Sequence, residues 1–281
     1  MLKQRVITAI ILTIVFLSAL FSLSLSGFAL FIACVVLVGA WEWSNLSSLG
    51  SFAQRSVYAC FIAVVLVATT WSTDLLSVEQ SGLNLGVIKL ILLLSVGWWI
   101  VALLLVKTYP SSSAFWGTPA IRLIMGVFVL VPTWLALVYV RAQPQGAWLV
   151  VMIAGIVAAA DTGGYFSGRK FGKHKLAPAV SPGKTLEGFV GGLFSNLLLA
   201  GLVDYLSGSN FLLLLAIVLP TSLFSVLGDL LESMVKRFAG VKDSGVILPG
   251  HGGILDRVDS ITAAAPVFAL TLIVSGWVMG Q

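Results

Sequence analysis

Charged residues are scarce in this sequence. Asp, Glu, Lys and Arg make up 10% of its 281 residues, hydrophobic residues make up 59%, and the mean hydropathy is +1.06. A soluble domain carries roughly a quarter charged residues because its surface faces water. The composition therefore excludes an ordinary soluble enzyme. It predicts a single membrane-embedded domain, residues 1–281, with no separate globular module.

Cysteine and histidine are also rare, with two residues of each. Cys34 and Cys60 lie inside apolar runs, where cysteine behaves as a small hydrophobe. Neither histidine has a partner at the spacing of zinc ligands, so a zinc site is not expected. The net charge of +5 comes without basic residues interleaved with aromatic ones on a soluble face, so nucleic acid is not an expected partner either.

Long apolar runs are abundant. A helix needs about 20 apolar residues to cross a bilayer, and the run from Ile7 to Trp41 is long enough for two spans that meet near residues 22–27. Further spans are predicted near residues 57–72, 85–106, 120–140, 146–163, 187–206, 211–231 and 261–279. We therefore predict an all-α, polytopic transmembrane protein with about nine spans.

The basic residues predict an orientation. With nine spans, 14 of the 16 lysine and arginine residues fall on one side, and only Lys89 and Arg141 fall toward the other. Loops rich in Lys and Arg remain in the cytoplasm, and they also attract anionic membrane lipids. We therefore expect the N-terminus to be cytoplasmic.

Residues of both charges gather in two stretches, Asp161–Glu187 and Gly228–Asp259. These stretches hold 9 of the 16 basic and 7 of the 11 acidic residues. Orientation requires basic residues but not acids, so the mixture favours a functional site over solvated loops. The predicted divisions are an N-terminal helical part (1–140) and a C-terminal catalytic part (141–281) with cytoplasmic loops at 161–186 and 232–258.

Asp229 lies near the inner end of a predicted span. At 100° per residue it shares one stripe of the helix with Ser225, Glu232 and Lys236. A carboxylate at membrane depth costs several kcal/mol unless it faces protein, water or a cation, which makes Asp229 a candidate site residue. The alternative is an ion pair of Asp229 or Glu232 with Lys236 that stabilises the helix end.

Asp256 and Asp259 open the last predicted span, one helical turn apart. The helix dipole alone favours acids there by about 0.3–1 kcal/mol. The preceding Pro249-Gly-His-Gly-Gly253, however, lets the backbone turn sharply and approach a ligand closely. Its N–H groups, with Lys242 and Arg257 nearby, form a candidate phosphate-binding loop.

Carboxylates beside a phosphate-binding loop favour a divalent cation. Mg²⁺ takes one or two protein carboxylates and completes its shell with water and phosphate oxygens. Asp229 and Asp256 are the predicted metal-binding pair, and Asp259 and Asp243 are the next candidates to support it. His251 is a candidate general base, a phosphate hydrogen-bond donor or simply a turn residue.

Two further motifs contain glycine. Lys184 and Thr185 follow Gly183 as in a P-loop, but Pro178 replaces the first glycine of that motif and no buried strand precedes it, so a Walker A site is excluded. The two residues remain candidates for contact with phosphate near a helix N-terminus. Glycines at every fourth position, residues 164, 168 and 172, indicate close helix packing.

The charged motifs carry a family resemblance. Ser233-Met-Val-Lys-Arg237, Lys242-Asp243-Ser-Gly and the run from Pro249 to Asp259 resemble the C-terminal signature of phosphatidate cytidylyltransferases, also called CDP-diacylglycerol synthases. The run Lys173-His-Lys-Leu-Ala-Pro, followed by Ser181-Pro-Gly-Lys-Thr185, is similar to the bacterial members. The apolar layout is similar along the whole chain.

The resemblance implies a multi-pass enzyme of the bacterial cytoplasmic (inner) membrane with its active site on the cytoplasmic side. Such an enzyme joins CTP to phosphatidic acid and releases pyrophosphate and CDP-diacylglycerol. Mg²⁺, a second monovalent cation such as K⁺, and a homodimer are implied as well. A secondary transporter and another lipid-phosphate membrane enzyme are the alternatives, although the D-x-x-D-G-x-x-A-R run of CDP-alcohol phosphotransferases is absent.

The candidate site residues fall into three groups. The catalytic candidates are Asp229, Asp256, Lys236, Arg237, Lys242, Asp243, His251 and Arg257. The substrate-binding candidates are Lys173, Ser181, Lys184, Thr185, Gly252 and Gly253. The metal-binding candidates are Asp229, Asp256 and Asp259, of which Asp229 and Asp256 match the metal-binding aspartates that the resemblance implies.

Overall fold

A computed structural model describes residues 2–76, 83–248, 250 and 252–277 of the chain. Ten helices and one short hairpin occupy these residues. The helices are α1 (Leu2–Ser22), α2 (Leu25–Leu46), α3 (Phe52–Thr73), α4 (Leu85–Lys107), α5 (Ser113–Trp116), α6 (Pro119–Ala142), α7 (Gly146–Phe171), α8 (Leu186–Ser207), α9 (Phe211–Phe238) and α10 (Leu255–Ser275). The antiparallel strands are β1 (Lys175–Ala177) and β2 (Ser181–Thr185).

The prediction of an all-α polytopic protein is confirmed. Eight of the described helices, α2 to α4 and α6 to α10, are long and apolar enough to cross a membrane. Helix α1 adds a shorter apolar stretch, Val6–Ser22. The hairpin is the only regular strand structure in the described residues, and it lies between α7 and α8.

Several helices extend beyond the predicted spans, because hydropathy marks only the apolar part of a helix. Helix α7 continues from 163 to Phe171, α9 continues from 231 to Phe238, and α10 begins at Leu255 rather than at 261. The predicted loops 161–186 and 232–258 are therefore too long. In the α9 extension, Lys236 pairs with Asp256 of α10 and Arg237 donates to the Val180 carbonyl oxygen, so polar contacts continue this helix beyond its apolar run.

Helices α7 and α8 pack with their backbones in close contact, as the glycine spacing predicts. A Cβ on Gly168 would lie 3.0 Å from Thr185 Oγ1, and one on Gly188 would lie 2.8 Å from the Gly164 carbonyl oxygen. A Cβ on Gly172 would lie 2.9 Å from the Thr185 side chain. These glycines therefore allow the hairpin and the start of α8 to lie against the end of α7.

Gly192 in α8 provides a test of this packing. A Cβ there would lie 2.6 Å from the Ala160 carbonyl oxygen, whereas at Gly201 of the same helix the nearest atom would be 3.9 Å away. Gly192→Ala should lower the free energy of unfolding by about 1–3 kcal/mol through overpacking, and Gly201→Ala should not lower it. Thermal unfolding in detergent measures the difference, and equal Tm values for the two variants would contradict this packing.

A buried arginine connects the ends of three helices. Arg122, in the first turn of α6, donates from its guanidinium to the Leu46 carbonyl oxygen of α2 and to Ser48 Oγ. Its guanidinium carbon lies 5.0 Å from the ring centroid of Phe238, at the end of α9. Trp43 Nε1 donates in return to the Arg122 carbonyl oxygen at 2.7 Å. The C-terminal ends of α2 and α9 are thus held next to the start of α6.

Candidate active site

Helices α9 and α10 meet at a glycine, and this contact brings their acidic residues together. A Cβ on Gly228 would collide with the backbone of Asp259 and Ser260. The predicted stripe on α9 is largely buried, with Ser225 2% and Glu232 3% exposed. The α9 acids therefore lie against the first turns of α10.

Lys236 lies between two carboxylates. Its Nζ is 2.6 Å from Asp256 Oδ1 and 3.2 Å from Glu232 Oε1. The contact with Glu232 is an ion pair by distance. Neither oxygen of Glu232 has a hydrogen-bond partner among the described residues. The predicted alternative of a Glu232–Lys236 pair is thus present. Lys236, however, also connects α9 to the start of α10.

Asp256 is the centre of a hydrogen-bond cluster. Its Oδ2 accepts from the Ser244 N–H at 2.9 Å, from Ser244 Oγ at 2.9 Å and from the Gly253 N–H at 2.8 Å. Its Oδ1 is occupied by Lys236. Both oxygens therefore have partners, and the carboxylate fixes the loop between α9 and α10 against the first turn of α10.

Asp229 has a different partner from the one considered in the sequence. Its Oδ2 lies 2.6 Å from Nζ of Lys184, which projects from β2. Lys184 also lines a cavity of about 350 Å³ between α7, α8 and α9. Asp161 and Arg169 of α7 line the same cavity. A salt bridge between Asp229 and Lys236 is not among the ion pairs of the described residues.

The hairpin that carries Lys184 is fixed to α8. Glu187 accepts hydrogen bonds from the backbone N–H groups of Lys173 and His174, and its Oε1 lies 2.7 Å from His174 Nδ1. Thr185 Oγ1 accepts from the Gly188 N–H at 3.1 Å and so caps α8. Ser181 pairs with Ala177 in the hairpin. His174 is therefore paired with the Glu187 carboxylate.

The remaining predicted residues lie around this centre. Arg237 is exposed and donates from Nε to the Val180 carbonyl oxygen at 3.3 Å. Lys242 and Asp243 line a second cavity of about 490 Å³, beside the ends of α2 and the loop after α9. Arg257 is exposed in the first turn of α10.

The glycine-rich turn before α10 is partly described. Gly252 has a φ of +80°, a conformation that favours glycine, and it pairs with Leu248 in an isolated bridge. A Cβ on Gly252 would lie 2.7 Å from Asp256 Oδ2 and 3.1 Å from the Asp243 side chain. Gly252, Gly253, Asp243 and Asp256 are therefore close together, while His251 lies outside the described residues.

Sequence reasoning missed Glu42. This residue of α2 is 2% exposed and accepts hydrogen bonds from Ile254 N at 3.1 Å, Leu255 N at 2.8 Å and Ser244 Oγ at 3.2 Å. The available signal was an acid between Trp41 and Trp43 at the end of an apolar run. It was overlooked because it lies more than 200 residues from its partners.

The acids supply the oxygen ligands that Mg²⁺ prefers. Within the described residues, however, no group of three or more His, Cys, Asp and Glu side chains is arranged to hold a metal ion. Mg²⁺ needs only one or two protein carboxylates, so the donor chemistry of Asp229, Asp256 and Asp259 fits it. Asp259 Oδ1 accepts from the Ser260 N–H at 2.7 Å. The assignment of the metal pair stays a prediction.

Comparison with known proteins agrees with the motif resemblance. A sequence profile of the cytidylyltransferase family matches residues 3–275. The chain belongs to this cytidylyltransferase family. A Pseudomonas aeruginosa protein named phosphatidate cytidylyltransferase is 44% identical over 280 residues, which cover 99% of each chain.

Two more cytidylyltransferases extend this similarity, and both carry the same name. The Haemophilus influenzae protein is 40% identical over 96% of this chain and 98% of its own length. The Staphylococcus haemolyticus protein is 33% identical over 97% of this chain and 99% of its own length. The similarity therefore covers both the helical part and the charged segments.

Proposed function

We propose that this chain is a phosphatidate cytidylyltransferase, which transfers CMP from CTP to phosphatidic acid and forms CDP-diacylglycerol and pyrophosphate in phospholipid biosynthesis. The observation that carries this proposal is the 44% identity, over 99% of both chains, to a protein of that name. The cluster of acids and lysines where α9, α10 and the hairpin meet supports it, because both substrates carry phosphate groups.

The reaction requires two anions to meet. A phosphate oxygen of phosphatidic acid attacks the α-phosphorus of CTP, and the bond to the bridging oxygen breaks as pyrophosphate leaves. The attacking phosphate is already ionised near neutral pH, so the reaction needs no dedicated general base. Catalysis of such transfers depends mainly on positioning and on electrostatic stabilisation. Basic side chains that offset the repulsion are therefore the main requirement.

Lys184 and Lys236 have distinct roles in this proposal. Lys184 faces the 350 Å³ cavity and binds a substrate phosphate there, while its pairing with Asp229 at 2.6 Å orients the ammonium group. Lys236 is only 8% exposed, so its role is to hold Asp256 in place and not to bind substrate directly. Arg237, Lys242 and Arg257 are exposed and supply further positive charge.

A divalent cation is part of the proposal. Asp229 and Asp256 would hold Mg²⁺, with Asp259 and Asp243 as supporting acids, and the bound ion would neutralise charge on the phosphates. A second monovalent cation such as K⁺ and a homodimer are proposed from the family resemblance. The site would face the cytoplasm in the bacterial inner membrane, with the N-terminus on the same side, since CTP is soluble and the basic loops favour that side.

An activity assay tests this function. Purified protein in detergent micelles with phosphatidic acid and labelled CTP should form labelled CDP-diacylglycerol and release pyrophosphate. EDTA should abolish turnover, and excess Mg²⁺ should restore it. Absence of turnover with Mg²⁺ present, together with solute flux in vesicles, would favour the transporter alternative. Full turnover in EDTA would reject the proposed divalent cation alone.

A further inference from the structure

Glu42 provides the N-terminal cap that α10 lacks in its own sequence. The first N–H groups of a helix have no partner within the helix, and a polar side chain at the cap position usually accepts from them. The cap position of α10 is Ile254, which makes no side-chain cap hydrogen bond. Glu42 accepts from Ile254 N and Leu255 N instead, through its two different carboxylate oxygens.

The loop before α10 packs directly on the Glu42 carboxylate. A Cβ on Gly245 or on Gly253 would collide with the side chain of Glu42. Only 2% of Glu42 is exposed, so the loop, and not solvent, surrounds the carboxylate. Gly245 and Gly253 therefore both pack against one side chain of α2, that of Glu42.

Ser244 connects Glu42 to Asp256. Ser244 Oγ lies 3.2 Å from Glu42 Oε2 and 2.9 Å from Asp256 Oδ2. A serine hydroxyl has one proton, so it donates to one of the two carboxylates at a time. Asp256 in turn holds Lys236 at 2.6 Å. A continuous chain of polar contacts thus runs from α2 through the loop to α9.

We propose that Glu42 is a positioning residue of the active site. It holds residues 241–248 and 252–254 of the loop and the first turn of α10 in the arrangement in which Asp256 contacts Ser244, Gly253 and Lys236. Glu42 acts through these residues and does not contact substrate. The inference rests on the proposed function for its kinetic consequence. Its structural consequence, the ordering of the loop, is independent of which reaction the protein catalyses.

Glu42→Gln tests this role. Glutamine keeps the shape but replaces one acceptor oxygen by an NH₂ group, which faces the N–H of Ile254 or Leu255. We expect kcat for CDP-diacylglycerol formation to fall by about 10²-fold, because a displacement of about 1 Å in an active site can lower the rate by that factor. Amide hydrogen exchange in peptides covering 241–255 should rise without substrate present, while exchange in α3 and α4 stays unchanged.

Trp134→Phe is the matched control. Trp134 Nε1 donates to the Ala29 carbonyl oxygen at 2.9 Å, so this change also removes a buried hydrogen bond to α2. This hydrogen bond lies near the start of α2, whereas Glu42 lies near its end. We expect a lower Tm with unchanged kcat at a temperature well below Tm, and no added exchange in the loop. If Trp134→Phe reproduced the kinetic and exchange changes of Glu42→Gln, general stability would explain both and the proposal would be overturned.

Ser244→Ala keeps the proposal testable if Glu42→Gln does not fold. Glu42 still caps α10 in this variant, but the hydroxyl link to Asp256 is absent. Lower kcat with faster exchange in the loop supports positioning, and wild-type values for both overturn it. If the wild-type protein shows no turnover, the proposed function fails, and the exchange measurement alone then decides whether Glu42 orders the loop.

Discussion

Asp256→Asn should lower kcat by about 10³-fold, in line with the loss of one preorganised electrostatic group. Asparagine has nearly the same shape and can still accept one of the hydrogen bonds from Ser244 and Gly253. It loses the charge that pairs with Lys236 at 2.6 Å and that is predicted to hold the cation. The fold should survive, so purified variant and wild type are compared by CTP-dependent turnover and by Tm.

Asp204→Asn is the control for that experiment. Asp204 lies in the last turn of α8, at the end of that helix opposite the hairpin. It carries the same charge and receives the same substitution, so its turnover should match the wild type. Wild-type turnover in Asp256→Asn would refute the metal assignment and the central role of this carboxylate.

Among the variants proposed for this protein, Lys236→Met should produce the largest loss of stability. Lys236 Nζ contacts the carboxylates of both Glu232 and Asp256, and the side chains of all three residues are at most 11% exposed. Removing one partner of a buried ion pair costs about 3–5 kcal/mol because a charge remains buried without compensation. For a chain of this size that corresponds to a decrease in Tm of about 10 °C. Turnover should be lost as well, because Asp256 loses its contact with α9.

The double variant Lys236→Met with Glu232→Gln identifies the cause. Without Lys236, Asp256 keeps its hydrogen bonds from Ser244 and Gly253, whereas Glu232 has no hydrogen-bond partner among the described residues. Neutralising Glu232 therefore removes the less compensated of the two buried charges. We expect the double variant to recover part of the lost Tm without recovering turnover. A double variant as unstable as Lys236→Met alone would show that the lysine stabilises the fold by packing and not by charge compensation.

The membrane helices of this protein could be predicted from the sequence, but not all of the residues at which they end. Hydropathy located the membrane helices, because apolar length is a local property. It missed the extensions to Phe171 and Phe238, where polar residues continue a helix; in the second extension Arg237 contacts the hairpin segment and Lys236 contacts α10. The glycine spacing in α7 predicted its close packing correctly, since small residues at every fourth position lie on one face of a helix.

Most of the candidate residues were also visible in the sequence. Charges of both signs within an apolar chain marked the α9–α10 segment, and its motifs indicated the family that the comparisons show. The pairing of those charges was not visible. Lys184 contacts Asp229 and Lys236 contacts Asp256, and each choice depends on how the hairpin and α10 pack against α9.

The sequence by itself determined that the chain is a membrane protein, which stretches carry its charged residues, and which family it belongs to. Only the tertiary structure decided which charges meet, and it revealed Glu42 as the cap of α10. The physical reason is the range of the two kinds of information. Hydropathy and helical periodicity arise among neighbouring residues, whereas a buried carboxylate is satisfied by whichever N–H groups the packed helices bring to it.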